Sequence, residues 1–376
     1  MTPRFASSLR CLFVVQGEGR GHMTQALALR TLLDRAGHRV VGVLVGRSMQ
    51  RDVPAFFLNK IGADVHYFRS PNFVTDGQSR SIRLGPTLTQ AARGVGRYRA
   101  SLRIIDEHVQ AIQPDVIVNF YEPLLGLYNL TYRPAAPTVC IGHQYLFHHP
   151  IYPFPSGQRL ERWAAQRFTE VSGFGAVRKL ALSFYPAPDQ PADRLTVVPP
   201  LLRDAVFAQP LDQEEPFFLA YLLNKGYGQE IERWHVQHPD VQLHCFWANP
   251  DVGETHRPRP GLTFHQLHDE KFLTMMARSQ GVICTAGFES VCEAMVLGKP
   301  VLMVPVEGHF EQYCNAMDAQ QVGAGLYSPV FDIQRLVDYR PRYQSPAPRV
   351  RAWIERGEAR FVEAIETAAT HQALAA

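Results

Sequence analysis

Hydrophobic and polar positions along this chain fall into two successive series. In the first, short apolar runs lie near 11–15, 40–45, 115–120 and 138–142, with helix-spaced apolar positions between them, notably over 22–36 and 88–112. The second starts at Phe217 (FFLAYLL) and continues through 241–247 (VQLHCFW), 262–267, 281–284 and 301–306. Apolar runs alternating with amphipathic helices are expected where a parallel sheet is covered on both faces, because such strands need no polar side. The crossovers should be right-handed. Pro199-Pro200, after Thr196-Val197-Val198, closes the first series, and 201–216, with further prolines and acids, reads as an interdomain linker. The expected architecture is therefore α/β, two Rossmann-like doubly wound domains facing a cleft: residues 1–200 and residues 217–345. A helix over 346–376 follows, with Val350, Trp353, Ile354, Phe361, Val362 and Ile365 as its apolar positions, placed back on the N-terminal domain. Clefts between domains are common ligand sites.

Composition narrows the class. At 376 residues the chain is long for one core, which also favours two domains. A hydrophobic fraction of 46% is ordinary for a globular protein, and a net charge of +3 is too balanced to imply nucleic acid as a partner. No stretch of about 18 apolar residues offers a transmembrane helix. The N-terminus, MTPRFASSLRCLFVV, is basic and then apolar like a leader, but Cys11–Val15 runs into a glycine-rich turn, and the segment reads as a first β-strand. The six cysteines (Cys11, Cys140, Cys245, Cys284, Cys292, Cys314) form no C-x-x-C pair and mostly sit in apolar runs, as buried reduced thiols of a cytoplasmic protein do. Among the fifteen histidines, the pairs His148-His149 and His265/His268 lack metal-ligand spacing and read as loop or surface residues.

Two places carry candidate chemistry. The first is Gln16-Gly17-Glu18-Gly19-Arg20-Gly21-His22, between the first strand and a helical pattern. Gly17, Gly19 and Gly21 allow a tight turn and close backbone approach, and the helix start offers N–H groups to an anion. A dinucleotide fingerprint is disfavoured: the spacing is G-x-G-x-G-H, and the second strand ends in Val45-Gly46-Arg47, with no acid to hold a ribose. His22 is the candidate general base, since an imidazole titrates near neutrality and a helix N-terminus helps keep it neutral. Glu18 is a weaker alternative base, against its reading as a solvated loop acid. The second place is 281–325. The apolar run Gly281–Cys284 stops at Thr285-Ala286-Gly287, an amphipathic stretch carries Ser290 and Glu293, and Gly298-Lys299-Pro300 leads into Val301–Val306 before Glu311-Gln312 and Asn315. As a βαβα unit this gathers polar turn residues at the carboxyl ends of parallel strands, where open sheets bind ligands.

The same residues resemble the donor-sugar signature of nucleotide-sugar glycosyltransferases: G-x-x-S-x-x-E-A, then G-x-P, a further Pro, an acid with Gln, and N-A. With the glycine loop, the chain resembles the GT-B glycosyltransferases of the branch holding the peptidoglycan GlcNAc transferase and the plant and antibiotic glucosyltransferases. The match covers about 15–40 and 281–325, and between them rests on the order of elements. The resemblance implies that Glu293 holds the donor ribose hydroxyls, that Gly287 and Ser290 form the turn and helix start under the diphosphate, and that Glu311 and Gln312 grip sugar hydroxyls. Asn315 is expected to brace the site, and His309 to line the pocket. Thr285 stands where many plant members carry a phosphate-contacting His. The retaining group has two glutamates with seven residues between them, and the first would fall at Thr285, which favours inversion. No Asp-x-Asp of the metal-dependent class occurs, so helix dipoles and backbone amides are expected to stabilise the leaving diphosphate, with no metal or other cofactor.

The acceptor side is less legible. The loop 142–155 is rich in aromatics, His and Pro, and His143 and Tyr145 are candidate acceptor contacts; equally, the loop packs on its own domain. Arg80, Arg83, Arg93, Arg97, Arg99 and Arg103 lie in a stretch without an acid between Asp76 and Asp106. A basic helical face suits an anionic lipid or phosphorylated acceptor, which would place the protein at the inner face of the membrane, while a solvated helix is the plainer reading. The expected activity is inverting, metal-independent transfer from a UDP-sugar to an acceptor hydroxyl, small or lipid-linked. A nucleotide-sugar 2-epimerase of the same fold and a non-catalytic nucleotide-sugar-binding protein are the alternatives.

Overall fold

The computed structural model describes residues 8–47, 53–70, 95–222, 226–249 and 251–373. The first half runs β1 (Arg10–Gln16), α1 (Arg20–Arg35), β2 (Arg39–Arg47), α2 (Ala55–Ile61), β3 (Val65–Arg69), α3 (Val95–Ile112), β4 (Val116–Phe120), α4 (Pro123–Tyr132), β5 (Thr138–Gly142), α5 (Arg159–Ser172), β6 (Ala176–Leu182) and β7 (Leu195–Val198). The second runs α6 (Asp204–Phe207), β8 (Phe218–Leu222), α7 (Gly226–Gln237), β9 (Leu243–Trp247), β10 (Thr255–Arg259), β11 (Leu262–Gln266), α8 (Asp269–Arg278), β12 (Val282–Cys284), α9 (Phe288–Val296), β13 (Val301–Met303), α10 (Phe310–Gln321), β14 (Gly325–Tyr327) and α11 (Gln334–Tyr339). Two helices end the chain, α12 (Ala347–Gly357) and α13 (Ala359–Ala373).

Among the described residues the strands form two sheets, ordered β3-β2-β1-β4-β5-β6-β7 and β10-β11-β9-β8-β12-β13-β14. Every strand pair is parallel except β10 with β11. Each sheet therefore reverses its winding once, between β1 and β4 and between β8 and β12. Such switch points open a crevice at the carboxyl ends of the strands. The two doubly wound α/β units match the architecture expected from the apolar series.

The strands legible in the sequence are the central ones. Every residue of β4 (VIVNF) and of β5 (TVCIG) is buried, so both read as unbroken runs. The apolar series did not mark β3, β6, β7, β10 or β14. Edge strand β3 has mostly half-buried or exposed positions, β6 carries Arg178 and Lys179, and β14 has three residues. Strands at or near an edge lack one covered side, so their apolar signal is weak. At the expected boundary, Thr196–Val198 is itself the last strand of the first sheet, and Pro199-Pro200 ends it.

The connecting segment 201–216 is packed only at its start, where Leu201, Leu202 and Val206 are buried and α6 forms, and is exposed over 210–216. The chain's last segment is two helices rather than one. They part at Gly357, where a Cβ would sit 2.5 Å from Pro199 Cδ, so the helix meets the proline turn at a residue with no side chain. Val350, Trp353, Ile354, Phe361 and Ile365 are buried and Val362 is half-buried. From α9 this pair crosses to the first sheet, where α13 packs on β4, β5 and β6. Trp353 Nε1 donates to Ser183 O at 3.1 Å, and Arg360 Nη1 donates to Val197 O at 2.6 Å. All six cysteines are buried and unpaired.

Aromatic rings join the two lobes. His143 stacks on Phe288 with centroids 4.1 Å apart, Phe184 lies 4.7 Å from Phe288, and Phe154 stacks on Phe310 at 6.3 Å. Buried carboxyls sit in and beside this junction. Burial pushes Asp318 up to about 7, against an opposing effect of the Tyr185 hydroxyl, and pushes Glu122 up to about 7, against hydrogen bonds from Ser70 and Leu124 N.

Two stability outcomes are expected. The folded protein keeps protons on Asp318 and Glu122 that the unfolded chain releases above a pH of about 4. Their contribution is therefore complete in acid and lost as pH rises through 7. The melting temperature should fall between pH 5 and pH 8, and Asp318→Asn should flatten that slope, read by thermal denaturation across the range. Separately, a Cβ on Gly126 of α4 would meet the Val171 carbonyl oxygen of α5 at 1.8 Å. Gly126→Ala should cost about 2 kcal/mol or more, measured as a lower urea midpoint.

Candidate active site

The two switch points face each other. On the first lobe, the chain leaving β1 turns through the glycine loop. Gly17 N donates to Gly46 O at 2.7 Å, and a Cβ on Gly17 would lie only 2.7 Å from that same oxygen, so the turn requires glycine. Gly19 is the N-cap of α1 and supplies no side-chain cap, which leaves the first-turn amides without a side-chain partner. His22 lies in this first turn, half-buried. Its Nδ1 is 3.4 Å from Gln25 Oε1, and its ring stacks on Tyr121 at 5.8 Å and 25°. Burial lowers the imidazole to about 4, against an opposing effect of the Gln25 hydrogen bond, so the ring is neutral at neutral pH. Glu18 is partly exposed and near enough to Glu122 to disfavour that residue's ionisation.

Tyr121 and Glu122 follow β4 directly. Tyr121 has φ +60°, and its hydroxyl is 2.7 Å from Thr169 Oγ1. Glu122 caps α4: its Oε1 accepts from Leu124 N at 3.1 Å and from Ser70 Oγ at 2.6 Å, while the buried Oε2 has no partner.

On the second lobe, β12 ends in Thr285-Ala286-Gly287. Thr285 is buried, and Ala286 is held at φ +58° while Asn315 Nδ2 donates to its carbonyl at 3.1 Å. Asn315 thus braces the turn, as expected. Gly287 is the N-cap of α9, again with no side-chain cap, and open space surrounds the position where its Cβ would be. Ser290, partly exposed, completes the first turn. A helix start with unspent amides beside open space is suited to phosphate oxygens.

Several residues singled out in the sequence have unexpected partners. Glu293 is buried and its Oε1 accepts from Arg203 Nη2 at 2.7 Å; the same guanidinium also pairs with Asp269. Burial raises the Glu293 carboxyl, opposed by Arg203. Gln312 is turned inward, its Oε1 accepting from Val306 N at 2.9 Å. His309 is the N-cap of α10, accepting from Gln312 N at 3.4 Å through Nδ1. Glu311 receives Gln144 Nε2 of the first lobe at 2.9 Å, and burial, opposed by that bond, pushes it up to about 7. His143 is buried against Phe288, with Nδ1 2.7 Å from Leu182 O and Nε2 unpartnered. Tyr145 belongs to the core of its own lobe rather than to the cleft: the ring is fully buried and its hydroxyl is 3.2 Å from Ser172 Oγ. The aromatic segment it lies on is a 3-10 helix over His143–His148, wedged between the lobes by Phe147. Of the arginine-rich stretch, Arg80, Arg83, Arg93 and the Arg97 side chain lie outside the described residues; Arg99 and Arg103 are exposed on α3. Among the described residues no helix is long and apolar enough to cross a membrane.

Sequence reasoning missed the residues that cross the cleft. Gln25 Nε2 donates to Glu289 Oε1 at 2.6 Å, and a Cβ on Gly21 would lie 3.2 Å from Glu289 Cγ, so the glycine loop and the start of α9 are in contact. Burial pushes Glu289 up to about 8, opposed first by Gln25. Gln25 had one available signal, its place one turn after His22. Gln144 and Arg203 had none, because their partners are 167 and 90 residues away.

Comparison with known proteins agrees with this fold. The profile described as glycosyl transferase family 1 matches residues 9–340. A relative from Methanosarcina acetivorans, described as an uncharacterized glycosyltransferase, is 23% identical over 354 residues, 84% of this chain and 83% of its own. Among solved structures, the calicheamicin glycosyltransferase CalG4 is 20% identical with a TM-score of 0.60, covering 96% of this chain and 98% of its own. MurG of Acinetobacter baumannii is 14% identical with a TM-score of 0.56, covering 96% and 100%. UGT89C1 of Arabidopsis thaliana, solved with UDP-L-rhamnose, is 14% identical with a TM-score of 0.57, covering 98% of each chain. With two doubly wound units, apposed switch points and a profile match over most of its length, this chain belongs to glycosyl transferase family 1 and is a glycosyltransferase of the GT-B fold.

Proposed function

We propose that the protein transfers a sugar from a UDP-sugar to an acceptor hydroxyl with inversion at the anomeric carbon and without a metal. One observation carries the reading: the glycine loop bearing His22 touches the uncapped start of α9, so a base and an anion-binding helix terminus meet across one cleft. In this reading the diphosphate lies on the amides of Gly287 to Ser290, with Thr285 behind the turn. Glu293 accepts from the ribose hydroxyls, and Arg203 orients its carboxylate. Glu311 and the loop held by Gln312 and His309 face the sugar. The Arabidopsis relative's solved complex with UDP-L-rhamnose supports a nucleoside-diphosphate donor of this kind.

The acceptor hydroxyl approaches His22 beside Tyr121. Its proton passes to the imidazole as its oxygen bonds to the anomeric carbon, and the bond to the diphosphate breaks on the opposite face. The neutral state of His22 suits this step, because only the unprotonated ring accepts a proton. Charge developing on the leaving diphosphate falls on the amide dipoles of α9, which makes a divalent ion unnecessary. The Gln144–Glu311 contact joins the lobes, and in this reading donor entry exchanges such contacts for bonds to sugar. Closure then excludes water from the activated donor.

Four measurements test this. A thermal-shift panel of UDP-, dTDP- and GDP-sugars in EDTA should give the largest rise with UDP-sugars; no rise with any of them overturns the donor assignment. Product configuration read by NMR should be inverted, and epimerisation of UDP-GlcNAc without an acceptor would move the protein to a different reaction. Glu293→Ala should raise the donor KM by about tenfold or more, since a lost ribose contact removes binding common to ground and transition states. His22→Ala should lower kcat by about 10²–10⁴ with donor affinity unchanged; full turnover in that variant removes His22 as the base.

A further inference from the structure

The general base of this reading needs a free lone pair on the nitrogen that meets the acceptor, and a neutral imidazole has two tautomers. Three groups in line constrain the choice. Gln25 Nε2 donates to Glu289 Oε1 at 2.6 Å, which leaves the amide oxygen of Gln25 facing His22 Nδ1 at 3.4 Å. A carbonyl oxygen is solely an acceptor, so Nδ1 must carry the hydrogen and Nε2 the lone pair. Oε1 accepts from Gln25 when the carboxyl is ionised or carries its proton on Oε2, which has no partner; a proton on Oε1 would instead turn the amide NH2 toward Nδ1 and reverse the polarity.

The amide's orientation is set from the other lobe. His22 and Gln25 are three apart on α1 and so share a face. Glu289 lies on α9, 264 residues from Gln25. Both Gln25 and Glu289 are buried, and Gly21 lets the Glu289 methylene approach to 3.2 Å of its Cβ position. Opening the lobes breaks the Gln25–Glu289 bond and frees the amide to turn, at which point its NH2 can face Nδ1 and stabilise the other tautomer. A misplaced or wrongly protonated base costs about 10² or more in rate.

We propose that Gln25 and Glu289 are positioning residues for His22: the donor-binding lobe, through the Gln25 amide, fixes the imidazole with Nε2 unprotonated when the cleft closes. The proposal rests on His22 being the base. In each turnover the acceptor proton moves to Nε2, and the Nδ1–H bond to Gln25 then shares the charge of the imidazolium. An open enzyme holding donor lacks an oriented base, so proton abstraction, from water included, waits for closure.

The test is a variant series on the full-length protein with a UDP-sugar and acceptor turned over by the wild type. Glu289→Ala and Gln25→Ala should each lower kcat by about 10² with donor KM within about twofold of wild type. Glu289→Gln, whose side-chain carbonyl can still accept from Gln25, should restore most of the loss. In a His22→Ala background neither substitution should lower kcat further, since residues acting as one unit are not additive. A change confined to donor KM, no rescue by Glu289→Gln, or full additivity with His22→Ala would overturn the relay. A second readout is independent of turnover. Imidazole ¹⁵N spectra, with the His22 signals assigned by their absence in His22→Ala, should show Nδ1 protonated in the wild type and a tautomer mixture in Glu289→Ala. An unchanged spectrum overturns the relay, whereas full turnover of His22→Ala with a shifted spectrum overturns only the assignment of the base.

Discussion

One hydrogen bond sets the geometry on which the cleft depends. Asn315 Nδ2 holds the carbonyl of Ala286, a residue with a Cβ kept at φ +58°. That conformation costs an alanine about 1–2 kcal/mol, comparable with what one buried hydrogen bond returns. The turn directs α9 out of the sheet with its uncapped first turn toward the other lobe. From that direction follow the stacking of Phe288 on His143, the reach of Glu289 to Gln25 and the position of Ser290. The same strain appears at the other switch point, where Tyr121 sits at φ +60° under the His22 ring. Strained residues at both switch points are consistent with backbone conformations retained for a site rather than for stability.

The lobes meet through contacts that are costly to bury and readily exchanged. Glu122, Glu289, Glu311 and Asp318 are all raised by burial, and Glu289 and Glu311 each receive a single amide donor from the opposite lobe. A carboxyl with one partner inside a protein gains little over the same group in water. A hydroxyl-rich ligand offering several donors can therefore replace such a contact at small cost. Arg203 differs, since it binds two acids at once, Glu293 and Asp269, and ties the connecting segment to the second lobe. The Glu293 carboxylate is thus held in place by the very segment that links the sheets.

The C-terminal helices add a second tie. Because α12 packs on α9 and α13 on β4 to β6, the C-terminal helix pair locks onto the first sheet. Trp353 and Arg360 make that lock specific through Ser183 O and Val197 O.

The amino-acid order was enough for the central strands, the glycine turn before His22, and the strand–turn–helix around Gly287, because each depends on neighbours a few residues apart: an unbroken apolar run, a glycine where no Cβ fits, an uncapped helix start. It was enough, too, for the bracing role of Asn315, one helical turn from Gln312. Edge strands such as β3 and β14 escaped, since a strand with one covered side carries too few apolar positions to stand out. Tyr145 misled for a related reason, as an aromatic ring in a loop looks the same whether it faces a cleft or fills a core. The bonds Gln25–Glu289, Gln144–Glu311 and Arg203–Glu293 lay beyond any local pattern. They join residues 264, 167 and 90 positions apart, and which side chains meet over such distances is decided by how two separately wound sheets dock, a matter of shape and burial across the whole molecule.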